Sequence, residues 1–323
     1  MNNYSWLQQK LHHIALSSNF MRETAFDIES TFFYPQGASD KHVFVAGLAR
    51  SGTTILLNAI YESNVFASLT YKDMPFVLAP NLWSKISFNK KNIDLVERAH
   101  KDGIKISTES PEAFEEVFWK TFDSKSNESI KKFKIFVQLI TLKYNKTRYL
   151  SKNNQNIKRL GLISQIYPSS TIFIPYRDPI QQAYSLLKQH KKFNDYATKD
   201  QFVSDYMKWI GHTEFGSNYI PLDNQDLSYK NDLNINHWLE QWYLVYKNCY
   251  EALRDYPNIH FISYEHLCGS NNYWDKIIKL LSIDHTFRFH FKESIKDVNC
   301  AADENLSQKA YHIYSQLNQL IDL

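Results

Sequence analysis

The chain has 323 residues, 43% of them hydrophobic, so it can bury a large core. Its formal net charge of +3 is too small to imply a nucleic-acid partner by itself. No stretch approaches 18 uninterrupted apolar residues, which excludes a membrane-spanning helix, and MNNYSWLQQKLHH lacks the apolar centre of a signal peptide. Cys249, Cys268 and Cys300 are widely spaced and odd in number, so they form neither a disulfide framework nor a metal knuckle and are expected as buried free thiols.

Residues 1–40 are expected to hold one helix, because Leu7, Leu11 and Ile14 follow a spacing that makes one apolar face. His12 and His13 lie beside that face with no third ligand nearby, and Pro35-Gln36-Gly37 closes the segment. The stretch from His42 to Ile60, HVFVAGLARSGTTILLNAI, is the most informative in the chain. Val43 to Ala46 reads as a buried strand, and Leu56, Ala59 and Ile60 fall at helical spacing. Between them lies Gly47-Leu48-Ala49-Arg50-Ser51-Gly52-Thr53-Thr54, bracketed by two of only eight glycines. Strand, glycine-bounded loop and helix together make the context of a phosphate-cradling loop, in which backbone N–H groups and a helix N-terminus converge on an anion. The alternative is a Gly/Ser turn with no ligand. Thr53 stands where the pattern G-x-x-x-x-G-K-[ST] has its lysine, and the cation, Arg50, sits inside the loop instead. Without that lysine ATP hydrolysis is not the expected chemistry, and a 5'-phosphate carrying a less charged group fits better.

Phe66 to Tyr71 is a second expected strand, ending at Lys72-Asp73-Met74-Pro75. If it pairs with the first, Asp73 falls at the carboxyl ends of the strands, where ligands of α/β sheets sit; otherwise Asp73 is a turn former before Pro75. Residues 80–147 form a mainly helical insertion. In it Val96 to His100 precedes a turn at Lys101-Asp102-Gly103. Ser110 and Pro111 read as N-cap and first residue of a helix that carries Glu112, Glu115 and Glu116 in its first turns. His100 and Glu112 remain candidates for an acceptor pocket. Lys131-Lys132-Phe133-Lys134 is a solvated face or a basic rim.

Arg148-Tyr149-Leu150 is a short strand ending at Lys152, and Leu160, Ile163, Ile166 and Tyr167 give a helical face broken at Pro168. Thr171 to Tyr176 is β-branched and aromatic, a buried parallel strand with Pro175 near its end. Arg177-Asp178 follows. Pro179 opens a helix with Ala183, Leu186 and Leu187 on one face, and Ser185 lies eight residues after Arg177. Residues 194–236 are polar, a surface excursion or lid, in which His212 and Glu214 are second-choice acid/base candidates. Trp238, Trp242 and Tyr246 repeat every four residues as core or cofactor-facing packing. Ile259 to Leu267 is a late strand with a polar end at Tyr264-Glu265, and Leu306, Ala310, Ile313, Leu317 and Leu320 mark a terminal amphipathic helix.

Arg50-Ser51-Gly52-Thr53-Thr54 after a strand resembles the 5'-phosphosulfate loop of the sulfotransferase family, which transfers a sulfuryl group from 3'-phosphoadenosine-5'-phosphosulfate (PAPS). Arg177 and Ser185, at the family's separation, resemble its 3'-phosphate site. Tyr149-Leu150-Ser151-Lys152-Asn153 is similar to the segment whose Lys contacts the transferring group in tyrosyl-protein and related sulfotransferases. Tyr264-Glu265 resembles the family's late strand end. The likeness covers about residues 42–62, 148–192 and, more weakly, 238–282. It implies that Arg50, Ser51, Gly52, Thr53, Thr54, Arg177, Ser185 and Tyr264 bind the donor, with Arg50 and Lys152 neutralising charge on the sulfuryl group. It also implies an acidic base near Asp73, although the family's Glu-Glu pattern is absent there. His100, His212 and Glu112 are the alternative bases.

The expectation is therefore one α/β domain over residues 1–323, a three-layer, P-loop-like parallel sheet of about five strands with helical insertions over the cofactor cleft. The resemblance implies PAPS as cosubstrate without a metal, and a hydroxyl or amine acceptor, saccharides being favoured. It also implies a bacterial, cytoplasmic enzyme, since Golgi relatives carry a membrane anchor. A P-loop kinase with a displaced Lys and a non-catalytic nucleotide- or polysaccharide-binding relative are the competing readings.

Overall fold

Five short parallel strands form one sheet in the order β2-β5-β1-β6-β7, with β1 Val43–Val45, β2 Phe66–Ala67, β5 Arg148–Lys152, β6 Thr171–Tyr176 and β7 Ile259–Ser263. The computed structural model describes residues 5–33, 39–87, 96–97, 105–106, 109–123, 126–197, 201–223, 227–284, 287–291, 298 and 300–320. A separate antiparallel pair joins β3 (Val96–Glu97) to β4 (Lys105–Ile106), and His100 lies outside the described residues. The helices are α1 Trp6–Ser17, α2 Asn19–Phe32, α3 Thr53–Tyr61, α4 Pro80–Ile86, α5 Glu116–Thr121, α6 Asn127–Lys143, α7 Leu160–Ile166, α8 Pro179–Ala197, α9 Gln201–Trp209, α10 Ile235–Leu253, α11 Tyr264–Gly269, α12 Asn271–Leu280 and α13 Glu304–Asn318. Among them none is long and apolar enough to cross a membrane.

Helices cover both faces of the sheet, so its strands are buried on both sides and read as continuous apolar runs. Side chains alternate within those runs. Phe44 enters the layer holding Phe133, Tyr149 and Tyr167, with ring centroids 6.0–6.4 Å away. Val43 and Val45 enter the opposite layer with Leu56, Leu57, Phe173 and Ile262. His42 precedes β1 in the core. Burial, with Arg148 beside it, lowers its pKa to about 4, and the neutral ring accepts the Tyr149 N–H through Nδ1 at 3.0 Å. Pro175 interrupts no pairing with β1, because β1 pairs with β6 only as far as Phe173; the Pro175 carbonyl accepts from the Tyr246 hydroxyl at 2.7 Å.

Several expectations need correction. The first 40 residues hold two helices, because Ser18 is extended (φ −101°, ψ 131°) and ends one before starting the next. The buried face of α1 is His12, Ala15 and Leu16, whereas Leu7 and Ile14 are exposed. The second strand is only two residues long and pairs with β5, not β1. Beyond it Thr70 bridges to Pro111, which draws Ser110 and Pro111 into an extended segment and delays α5 until Glu116. Only Cys249 of the three cysteines is fully buried; Cys268 and Cys300 are partly accessible. Trp238, Trp242 and Tyr246 are all core residues of α10.

Candidate active site

The loop between β1 and α3 is fixed by two residues in the left-handed region, Arg50 at φ 68° and Gly52 at φ 97°. A non-glycine residue rarely adopts this conformation, and Arg50 does so where its side chain must turn across the site. Gly52 is the N-cap of α3, and a Cβ there would lie 2.5 Å from Cδ2 of Tyr264. Only glycine admits both the φ and the ring. Gly47 makes a similar close approach, its Cβ position being 3.0 Å from the Pro175 carbonyl oxygen. Ser51 and Thr53 are buried, whereas Arg50, Gly52 and Thr54 are partly accessible at the start of α3. There the first N–H groups of the helix and its dipole favour an anion.

Side chains from α8 and from the ends of β6 and β7 close around this loop. Arg50 Nε donates to Ser185 Oγ at 3.0 Å, so α8 is tied to the loop. The Arg177 guanidinium stands 5.2 Å from the Tyr264 ring centroid, donates to Gln181 Oε1 at 3.0 Å and lies 4.0 Å from Glu265. Burial raises the Tyr264 phenol, so it stays protonated as the wall between Gly52 and Arg177. Trp242 Nε1 donates to the Arg177 carbonyl at 3.1 Å and to Gln182 Oε1 at 3.0 Å. Gln182 in turn donates to the carbonyls of Leu48 and Ala49 at 3.3 and 3.0 Å. One buried relay thus holds the Arg177 turn and the start of the loop in a common frame.

Lys152 ends β5 in register with Val45, the last residue of β1, and the next N–H, of Asn153, donates to the Val45 carbonyl at 3.0 Å. Sequence reasoning missed what holds this strand end. Asn153 donates to Glu116 at 2.7 Å. Arg159 grips the same Glu116 through two contacts, at 2.8 and 3.2 Å. Buried Glu115 accepts from Trp119, Tyr149 and Asn156 at 3.0, 3.0 and 2.7 Å. Glu115 and Glu116 therefore organise the Lys152 turn while standing at the start of α5, where Glu115 is the N-cap residue and makes no side-chain cap hydrogen bond. The run Asn153-Asn154-Gln155-Asn156 was the available signal for this cluster.

Asp73 stands apart from these residues. It is fully buried in a 3-10 turn after β2, accepts the Thr70 N–H and the Tyr144 hydroxyl, each at 2.7 Å, and pairs with Lys143 of α6. A carboxylate committed to three donors and closed to solvent anchors the turn after β2. Glu112 accepts from the Tyr71 hydroxyl at 2.9 Å and from the Ala113 N–H. His212 lies 3.3 Å from Glu214, its ring stacked on Phe193 with centroids 5.7 Å apart. Among the described residues no group of three or more His, Cys, Asp or Glu side chains is arranged to hold a metal ion.

No curated protein sequence matches the chain. Its structure is similar to that of sulfotransferase STF1 from Mycobacterium tuberculosis H37Rv, at 11% identity and a TM-score of 0.50, over 98% of this chain and 85% of that one. Other likenesses are to STF9 from Mycobacterium avium (10% identity, 98% and 79% coverage, TM-score 0.45) and to a sulfotransferase from Alicyclobacillus acidocaldarius (13%, 88% and 97%, TM-score 0.38). The STF1 likeness shows a shared fold, the P-loop-like α/β architecture. A model of the sulfotransferase family matches residues 42–274, from the residue before β1 to α12, and this takes in the loop, Lys152, Arg177 with Ser185, and Tyr264. The chain belongs to the sulfotransferase family.

Proposed function

We propose that the chain transfers the sulfuryl group of PAPS to an acceptor hydroxyl or amine. The observation that supports this reading best is the joining of the loop to the Arg177–Ser185 helix start by Arg50 Nε on Ser185 Oγ, with Tyr264 packed between Gly52 and Arg177. Two anion-binding features, a left-handed loop at a helix N-terminus and a partly buried arginine, thereby share one continuous surface. A nucleotide with phosphates at both 5' and 3' positions matches that pair, and a nucleoside 5'-phosphate alone engages only the loop.

The transfer is an in-line displacement at sulfur, so positioning and charge stabilisation dominate. The N–H groups at the start of α3, with Thr53 and Thr54, would hold the 5'-phosphate, whose negative charge grows as the S–O bond breaks. Arg50 and Lys152 would neutralise the bridging and sulfuryl oxygens, and Arg177 with Ser185 would hold the 3'-phosphate. The saccharide acceptor expected from sequence is one member of the hydroxyl class that this chemistry admits.

Calorimetry with 3'-phosphoadenosine-5'-phosphate (PAP) and AMP checks the donor. PAP is expected to bind much more tightly, and Arg177→Ala is expected to weaken PAP by about 1.5–3 kcal/mol while leaving AMP unchanged. Equal affinity for the two nucleotides in the unmodified protein would remove the 3'-phosphate site, and with it PAPS as donor.

A further inference from the structure

Helix α13 reaches the Arg177 turn with a row of polar groups. Tyr311, Tyr314 and Asn318 follow one another at intervals of three and four residues, on one face. The Tyr311 hydroxyl donates to Asp178 Oδ2 at 3.1 Å, and the Tyr314 hydroxyl donates to Glu265 Oε2 at 3.3 Å. Asn318 Oδ1 accepts from the Tyr176 hydroxyl at 2.9 Å. Asp178 and Glu265 are carboxylates beside Arg177. Asp178 follows it in the chain, and Glu265 Oε1 lies 4.0 Å from its Nε. We propose that Tyr311 and Tyr314 of α13 are positioning residues for the donor's 3'-phosphate: they hold Asp178 and Glu265 so that the Arg177 guanidinium is presented to that phosphate instead of closing on Glu265. This assignment rests on the sulfuryl-transfer reading above.

A guanidinium binds a carboxylate and a phosphate through the same fork of N–H groups, so the two anions compete for it. The Glu265 and Arg177 side chains are only 19% and 16% exposed, so little water screens them from each other. Other contacts hold the carboxylate where it is. Glu265 Oε1 accepts the Asp178 N–H at 3.0 Å, and Oε2 accepts the Tyr314 hydroxyl and faces Ser263 Oγ at 3.5 Å. Asp178 is held likewise. Its Oδ1 accepts the Gln181 N–H at 2.9 Å, its Oδ2 accepts the Tyr311 hydroxyl, and Gln181 Oε1 accepts from Arg177 Nη2 at 3.0 Å. Burial, with Asp178 beside it, pushes the Tyr311 phenol up to about 12, and burial raises Tyr314 as well, so both hydroxyls stay protonated donors at neutral pH. Without them Glu265 Oε2 keeps only the distant Ser263 Oγ among the described groups. Turning toward Arg177 then recovers a charge-assisted bond, at the expense of the phosphate.

The helix that carries the two tyrosines is itself firmly seated. Ala310, Ile313 and Leu317 are buried where α13 packs on α10, and Asp303 caps its start by accepting the Leu306 N–H at 2.8 Å. The Asp303 N–H in turn donates to Asn236 Oδ1 of α10 at 2.8 Å. α10 also carries Trp242, which donates to the Arg177 carbonyl. The Arg177 turn is thus gripped through its carbonyl by α10 and through its flanking carboxylates by α13.

The test is calorimetry of the full chain with PAP and with AMP. In the double variant Tyr311→Phe/Tyr314→Phe both rings remain, so the packing of Tyr314 on Tyr176 and Trp242 is kept and only the hydroxyls are lost. This variant is expected to bind PAP about tenfold more weakly and AMP as the parent does. Adding Glu265→Gln keeps an acceptor for the Asp178 N–H but removes the competing charge. It is expected to return PAP affinity to within about threefold of the parent, a recovery that a merely structural role of the tyrosines would not allow. Parental PAP affinity in the double variant, equal weakening of PAP and AMP, or no recovery with Glu265→Gln would each overturn the assignment. A parent protein that fails to distinguish PAP from AMP strikes the PAPS reading itself, and that measurement stands apart from the variants.

Discussion

Asp73→Asn is expected to lower the thermal midpoint by roughly 4–7 °C, from a loss of about 3–5 kcal/mol, while transfer per folded molecule stays near that of the parent. The side chain is fully buried, and its partner Lys143 is only 11% exposed. Removing the negative member leaves a buried ammonium without its counter-charge, and the new amide group meets the Tyr144 hydroxyl and Thr70 N–H as a poorer acceptor. The pair ties the turn after β2 to the end of α6. The second substitution Lys143→Met removes the stranded charge and is expected to restore much of the midpoint, which a general loss of packing would not allow. Differential scanning calorimetry of the single and double variants reads this directly. A variant of unchanged midpoint but no turnover would return Asp73 to the catalytic role expected from sequence.

Lys152→Ala should lower kcat by about 10²–10³ while PAP affinity changes little. The lysine stands at the end of β5, level with the last residue of β1 and beside the loop. In the proposed reaction it meets charge that develops as sulfur leaves the phosphate, so its effect belongs to the transition state. PAP, the desulfated product, lacks the sulfuryl oxygens and hardly registers the change. An ionised acceptor should give no rescue, because the defect lies on the leaving side of sulfur. Single-turnover measurements with saturating PAPS read the loss directly. A parental rate for Lys152→Ala would show that Arg50 and the α3 N-terminus suffice.

What could be read from sequence was whatever depends on neighbours a few residues away. The strand–loop–helix at Val43–Tyr61, Pro179 at the start of α8 and the Arg177–Ser185 interval are local patterns, and each matches an element of the structure. The contact of Arg50 with Ser185 spans 135 positions and was not expected, although each end carried its own motif. For Asp73 the sequence showed only a turn before Pro75, because its partners, Lys143 and Tyr144, lie 70 and 71 residues on, at the end of a helix that gave no sign of reaching back. The late start of α5 has the same origin, since the Thr70–Pro111 bridge overrides the capping pattern of Ser110-Pro111.

The strand order also governs how this chain emerges from the ribosome. β1 and β2 are made first, yet they are not neighbours: β5 stands between them, and β6 flanks β1 on its other side. A nascent chain halted at residue 147 therefore exposes Val43–Val45, wholly interior in the finished protein, with no strand to pair with. Its loop also lacks the ring of Tyr264, which is synthesised more than two hundred residues after Gly52. Such late closure exposes apolar surface for most of synthesis and favours chaperone engagement over stepwise docking. Arrested chains of increasing length should stay protease-sensitive around β1 through the end of β6, and gain both resistance and nucleotide retention only after Tyr264 has cleared the exit tunnel. Protection of Val43–Val45 in the 147-residue chain would show instead that the first third folds by itself.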